Sequence, residues 1–115
     1  MVSYLDSDTI LSDDEVDQIF RALADATRRD IMRRTLVDEA SISDLAAHYE
    51  MTFAAVQKHI TVLEGAGLVT KHRSGRERLI RGHPEAIRKA RTLLNTYERI
   101  WQGRIEQLDA LLTDD

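Results

Sequence analysis

Apolar residues recur at intervals of three and four from Val16 through Ile19 and Phe20 to Leu23, directly behind Ser12-Asp-Asp-Glu15. A serine with glutamate three residues on satisfies the free amides of a helix start, so an amphipathic helix is predicted over residues 13 to about 24. Asp25 is placed to cap a second helix of about 27 to 38. It would turn Ile31, Met32 and Leu36 inward and leave Arg28, Arg29, Arg33 and Arg34 elsewhere on its surface. Ser43 is expected to cap a short third helix carrying Leu45, Ala46 and Tyr49, and Thr52 a fourth. In the fourth, Phe53, Val56, Ile60 and Leu63 fall within about 80° on a helical wheel. Gly67 supplies its end.

Beyond Gly67 the period becomes extended. Leu68 to His72 and Glu77 to Arg81 read as strands around Arg73-Ser-Gly-Arg76, a β-hairpin whose few apolar members leave its tip in water. Pro84 suits the first position of a last helix reaching about Thr113, with Gly103 as an internal weak point. Ile87, Ala90, Leu94, Tyr97, Trp101, Leu108 and Leu111 follow a heptad seam broken only at Arg104. At 1.5 Å per residue this helix would run about 45 Å, beyond the ~30 Å of a small domain. The overhang, the amount of apolar surface and the acidic first helix favour pairing with a second copy over folding back on its own core.

The chain has 115 residues, and two independent cores would each have fewer than about 60, a marginal size, so one domain is expected. It would comprise residues 13–115 behind an acidic leader, residues 1–12, which is expected to fray rather than dock. With 43% apolar and 31% charged residues, neither a disordered chain nor a membrane protein fits, and no apolar run approaches the ~20 residues of a membrane span. The amino end lacks a secretory pattern and there is no cysteine, which points to the cytoplasm and excludes disulfides and thiolate chemistry. The net charge of −4 hides a strong asymmetry. Residues 1–20 carry six acids and no base, whereas residues 52–91 carry nine bases against three acids, an arrangement that speaks of a polyanionic partner.

A short helix, a tight turn near Glu50-Met51, a second capped helix and a basic hairpin form the order of a winged helix-turn-helix. The expected class is mainly α, with five helices, a hairpin wing and a long C-terminal dimerisation helix of about 84–113. In such a fold the second helix enters the major groove of DNA by its amino-terminal turns. Lys71, Arg73, Arg76 and Arg78 stand where backbone phosphates would be neutralised. The pattern alone also allows a compact trihelical core whose arginines merely keep it soluble.

Residues 51–69, MTFAAVQKHITVLEGAGLV, together with Ala22-Leu-Ala-Asp-Ala-Thr-Arg-Arg29 and Arg73-Ser-Gly-Arg-Glu77, resemble the ArsR family of bacterial winged-helix repressors over about residues 16–112. The resemblance implies a homodimer that represses a promoter by binding double-stranded DNA and releases it on a signal. Where many members carry Ser or Thr, this chain has Ala54 and Ala55, and Gln57 replaces a Ser. Base reading would then fall mainly to Gln57 and Lys58, beside Thr52 at the helix start, with the alanine methyls able to touch thymine methyls. Phe53 is expected in the core, the alternative being a contact beside the first bases. His59 either bonds a phosphate or supports the helix.

Metal-sensing members use cysteine pairs on the third helix or Asp, His and Glu ligands on the last. Here Ser41-Ile-Ser-Asp-Leu45 has no thiol, the last helix has no histidine, and His48, His59, His72 and His83 lie on separate elements. A member without metal control is expected, against a site joining His83 and Glu85 across a dimer. No cofactor is implied, no motif identifies an inducer, and no membrane association is expected. No nucleophile–base pair, carboxylate pair or phosphate loop suggests an enzyme. The competing function is a winged-helix protein-interaction module without specific DNA binding. A twofold dimer on DNA would require a pseudo-palindromic site with half-sites about 10 to 11 base pairs apart.

Overall fold

The Ser12 hydroxyl accepts the Glu15 amide at 3.1 Å while the Glu15 carboxylate accepts the Ser12 amide at 3.1 Å, so helix α1 (Asp13–Leu23) begins on a complete capping box. The computed structural model describes residues 11–113; the predicted leader therefore lies almost wholly outside the described residues. Asp25 caps α2 (Ala26–Val37) by accepting the Arg28 amide at 3.0 Å. Two residues of extended chain, β1 (Ala40–Ser41), lead into α3 (Ile42–Ala46). The cap of α3 is Ser41, which accepts the Asp44 amide at 3.0 Å, and not Ser43 as the sequence suggested; Tyr49 consequently falls in the turn beyond the helix.

Thr52 caps α4 (Phe53–Gly65), as predicted, by accepting the Ala55 amide at 3.1 Å. Gly67 follows at φ 74°, the left-handed conformation that releases a chain from a helix without a Cβ penalty. The hairpin is β2 (Val69–Ser74) and β3 (Glu77–Gly82), joined by Gly75-Arg76. Gly75 has φ 61° at the first of the two turn positions, where a type II′ hairpin places glycine. The sheet order is β1-β3-β2, all antiparallel, with Ala40 opposite Ile80 and Ser41 opposite Leu79. A long helix, α5 (Glu85–Thr113), completes the chain; Pro84 stands one residue before it, its carbonyl accepting the Arg88 amide at 2.9 Å.

The core gathers Ile19 and Ala22 of α1, Ile31 and Met32 of α2, Leu45 of α3 and Val56, Ile60 and Leu63 of α4 around Leu68, Val69 and Ile80 of the sheet. Only the start of α5 joins it, through Ala86 and Ala90. Three residues expected inside are not. Phe20 and Leu36 are exposed, and Phe53 keeps 49% of its surface. Thr35 occupies the inward position beside Ile31 instead, its hydroxyl donating to the Ile31 carbonyl at 2.9 Å, while Leu36 lies over Gly82.

The Cα radius of gyration is 18.9 Å, against about 13 Å for a compact chain of this length. The excess comes from α5, whose 29 residues span about 43 Å. Leu94, Tyr97, Ile100 and Trp101 are all at least half exposed, and Leu111 and Leu112 are more than 70% exposed.

Candidate nucleic-acid interface

Helix α4 is fixed from behind by Val56, Ile60 and Leu63, all fully buried. A helix held by a stripe at this spacing must present its other side outward. Ala54, Gln57, Lys58 and Thr61 are exposed there, with Ala55 half-buried, and together with Thr52 they form one continuous open surface. Two of its polar groups are already engaged within the helix. The Thr52 hydroxyl holds the cap, and the Thr61 hydroxyl donates to the Gln57 carbonyl at 3.0 Å. The side chains of Gln57 and Lys58 carry no such commitment among the described residues.

His59, at the flank, is drawn inward. Its Nδ1 lies 3.2 Å from an Arg28 guanidinium nitrogen and 3.9 Å from the Asp25 carboxylate. The same guanidinium donates to the Ala22 carbonyl at 2.7 Å and to the Arg21 carbonyl at 3.0 Å, and Arg29 donates to the Leu23 carbonyl at 2.8 Å. Two arginines of α2 thus close the carbonyl end of α1, and one of them ties α4 to both helices. These contacts give His59 a part in supporting the helix. The Asp25 carboxyl is held below its ordinary value, foremost by the Arg28 amide it caps and then by the charges of His59 and Arg28. The structural use of Arg28 and Arg29 was invisible in the sequence because their partners are main-chain carbonyls of another helix.

A second polar knot holds the turn before α4. Tyr49 donates to Asp30 at 2.5 Å, and Asp30 also pairs with Arg34 at 2.8 Å and Arg33 at 2.7 Å. These donors, Tyr49 first, keep the Asp30 carboxyl far below the ordinary carboxylate range. Burial, reinforced by the bond to Asp30, pushes the Tyr49 hydroxyl up to about 12.

The wing extends alongside. Lys71, half-buried at its base, pairs with Glu64 of α4 at 3.2 Å, so its charge is balanced within the protein. Arg73, Arg76 and Arg78 are exposed at the tip. Arg73 stands directly across the ladder from Arg78, a like-charge pair of the kind that costs stability unless an anion lies between or beside its members. Phe53 and Gln57 of α4 line one open groove together with Arg76, Glu77 and Arg78 of the wing and Ser41, Ile42 and Ser43. Of the residues singled out in the sequence, the structure therefore brings Gln57, Lys58, the alanines, Thr52 and the three wing arginines to the open side. It takes His59 and Lys71 into internal contacts. In the seam of α5, Ala90 is buried in the domain's own core and Ile87 is partly covered, whereas Leu94, Tyr97, Trp101, Leu108 and Leu111 are exposed.

Residues 25–71, from the α2 cap to the base of the wing, match the signature described as bacterial regulatory protein, arsR family. The chain is 38% identical over 76 residues to the HTH-type transcriptional regulator YuzN of Bacillus subtilis, covering 56% of this chain and 77% of that one. Its fold superposes on the crystal structure of the ArsR family transcriptional regulator RHA00566 with a TM-score of 0.75 at 30% identity, covering 80% of this chain and 95% of that one. The chain belongs to the ArsR family. It is a transcriptional regulator with a DNA-binding winged helix-turn-helix, in which α3 and α4 are the helix pair and β2–β3 the wing. A further relative, SdpR of B. subtilis, described as a transcriptional repressor, is 27% identical over 60 residues, covering 52% of this chain and 67% of that one. Among the described residues of this ArsR-family chain, no three His, Asp or Glu side chains gather closely enough to hold a metal ion; His83 and Glu85 share a hollow with Glu15 beside the start of α5. No helix among them is long and apolar enough to cross a membrane.

Proposed function

We propose that this regulator is a homodimeric repressor that binds a pseudo-palindromic operator, α4 lying in the major groove and the wing along the neighbouring backbone. The observation that carries the reading is the groove in which Phe53 and Gln57 of α4 meet Arg76 and Arg78 of the wing. It sets a base-reading surface and a phosphate-neutralising one side by side. The opposed Arg73 and Arg78 add an unbalanced positive site that a phosphate would relieve. Repression is supported by the described role of SdpR and by the ArsR resemblance.

Dimerisation is supported by the bare apolar length of α5. A second copy seated along Leu94, Tyr97, Trp101, Leu108 and Leu111 would cover it and present two α4 helices to successive faces of the duplex.

Fluorescence anisotropy with an operator selected from fragments of the source genome tests the proposal. Affinity should fall steeply with salt, by about 0.9 in log–log slope for each phosphate contacted. Gln57→Ala should weaken binding by about 1–3 kcal/mol and relax sequence preference at one position, whereas Lys58→Ala should weaken all sequences alike or remove one specific contact. Weak, salt-insensitive association would support a protein-interaction module instead. Binding unchanged in both variants would put the wrong helix in the groove.

A further inference from the structure

The first two turns of α4 carry few polar groups able to reach a base. The Thr52 hydroxyl accepts the Ala55 amide and the Thr61 hydroxyl donates to the Gln57 carbonyl, so each is tied to the helix with only part of its capacity left, and His59 lies against Arg28. What remains exposed, apart from Gln57 and Lys58, is carbon: the ring of Phe53, the methyl of Ala54 and part of Ala55. Phe53 is a helix turn before Gln57, and both line the wing-side groove. Phe53 keeps 49% of its surface, lies outside the domain's core and shares its groove with two arginines of the wing. The flanking charges, Lys58 on one side and Arg76 and Arg78 on the other, outnumber the single acid of that groove, Glu77, and favour a polyanion as what covers it.

Resting on the DNA-binding reading above, we infer that Phe53 and Ala54 form an apolar reader of thymine 5-methyl groups and so determine operator specificity. The major-groove edge of DNA offers one apolar group that projects, the thymine methyl; cytosine has only a C5–H at the same place, and the other distinguishing features are hydrogen-bond donors and acceptors. An apolar first turn can therefore discriminate only by finding that methyl, and it penalises a base whose polar edge it would desolvate without a partner. Gln57, one turn on, suits an adenine edge through paired hydrogen bonds. The half-site is accordingly expected to hold thymine where the start of α4 approaches, near an adenine read by Gln57.

The test is methyl deletion. After the full-length protein has selected its preferred sites from random duplexes, each thymine of a half-site is replaced in turn by deoxyuridine. That change removes the methyl and keeps the pairing edge. One or two positions should lose about fourfold in affinity each, corresponding to the ~0.8 kcal/mol of one buried carbon. Cytosine at such a position should bind poorly and 5-methylcytosine better. Phe53→Ala should abolish the thymine–deoxyuridine difference while leaving salt dependence intact, and Phe53→Leu should retain part of it; circular dichroism checks that both variants fold. Specific, salt-dependent binding indifferent to every methyl would overturn this inference alone, as would a Phe53→Ala protein with an unchanged methyl preference. Failure to select any sequence would instead overturn the DNA-binding reading beneath it.

Discussion

Asp30 shows how a single carboxylate can hold the helix-turn-helix in register. It accepts from Tyr49, Arg33 and Arg34, so a side chain of α2 fixes the turn from which α4 departs. Its folded carboxyl titrates well below its ordinary value of 3.8. A group depressed in this way stabilises the fold at pH above the unfolded value and loses that contribution as pH falls through the folded one. Asp30→Asn should therefore cost about 1–2 kcal/mol in urea melts at pH 7, and the gap from wild type should narrow below about pH 4. A gap that stays constant down to pH 3 would show that the charge is immaterial. The wing arginines should behave in the opposite sense. Replacing Arg73 and Arg78 with Gln removes a repulsion across the ladder, so folding stability should hold or rise by about 0.2–1 kcal/mol. Operator affinity should fall meanwhile, and its salt slope should flatten by about two phosphate contacts. A loss of stability together with affinity would mean that these residues serve the hairpin and not a ligand.

Among the elements, the packing of α2 against β3 depends on one glycine. A Cβ built at Gly82 would come within 2.8 Å of a Leu36 methyl and 2.9 Å of the Leu36 backbone nitrogen, and the backbone cannot move aside as a side-chain tip could. Gly82→Ala should cost about 1–3 kcal/mol in thermal or chemical melts, whereas Gly103→Ala, with open space at its Cβ and a helical backbone, should stabilise α5 by up to about 1 kcal/mol. Equal effects at the two sites would contradict the close approach. The elements legible in the sequence were those defined by local chemistry: the Ser12, Asp25 and Thr52 caps, the Val56-Ile60-Leu63 stripe and the Gly75 turn. Strand β1 was not legible, because two residues have no period and its pairing with Leu79 and Ile80 spans almost forty residues of chain. Ser41 and Ser43 both offer a hydroxyl near the start of α3, and only the β1 pairing, which sets the chain direction at Ser41, decides between them. Of the candidate interface, the outward face of α4 followed from its period. The fates of Phe53, Leu36, His59 and Lys71 did not, since each depends on a neighbour from another element: the wing groove for Phe53, Gly82 for Leu36, Arg28 for His59 and Glu64 for Lys71.

At the scale of the whole molecule the domain and its long helix have different needs. Burial along α5 reaches Leu93 and Thr96, whereas Leu94 and Trp101 are exposed at 50% and 57%. An apolar face of this length, broken only at Arg104, is costly to leave in water, roughly 25 cal/mol for each Å². Covering it with a second α5 would also double the DNA contacts, because a twofold axis through the helices sets two wings and two α4 helices on one side. Sedimentation at micromolar concentration should therefore give about twice the chain mass of 13.1 kDa. Leu94→Asp combined with Trp101→Asp should return the protein to a monomer without unfolding it, since neither residue belongs to the core. The monomer should keep its binding to a single half-site but bind the full operator at least about 100-fold more weakly, having lost the effective concentration that ties the second half-site to the first. A wild-type monomer would refute the pairing of α5, and a double variant that still sediments as a dimer would move the interface to another face.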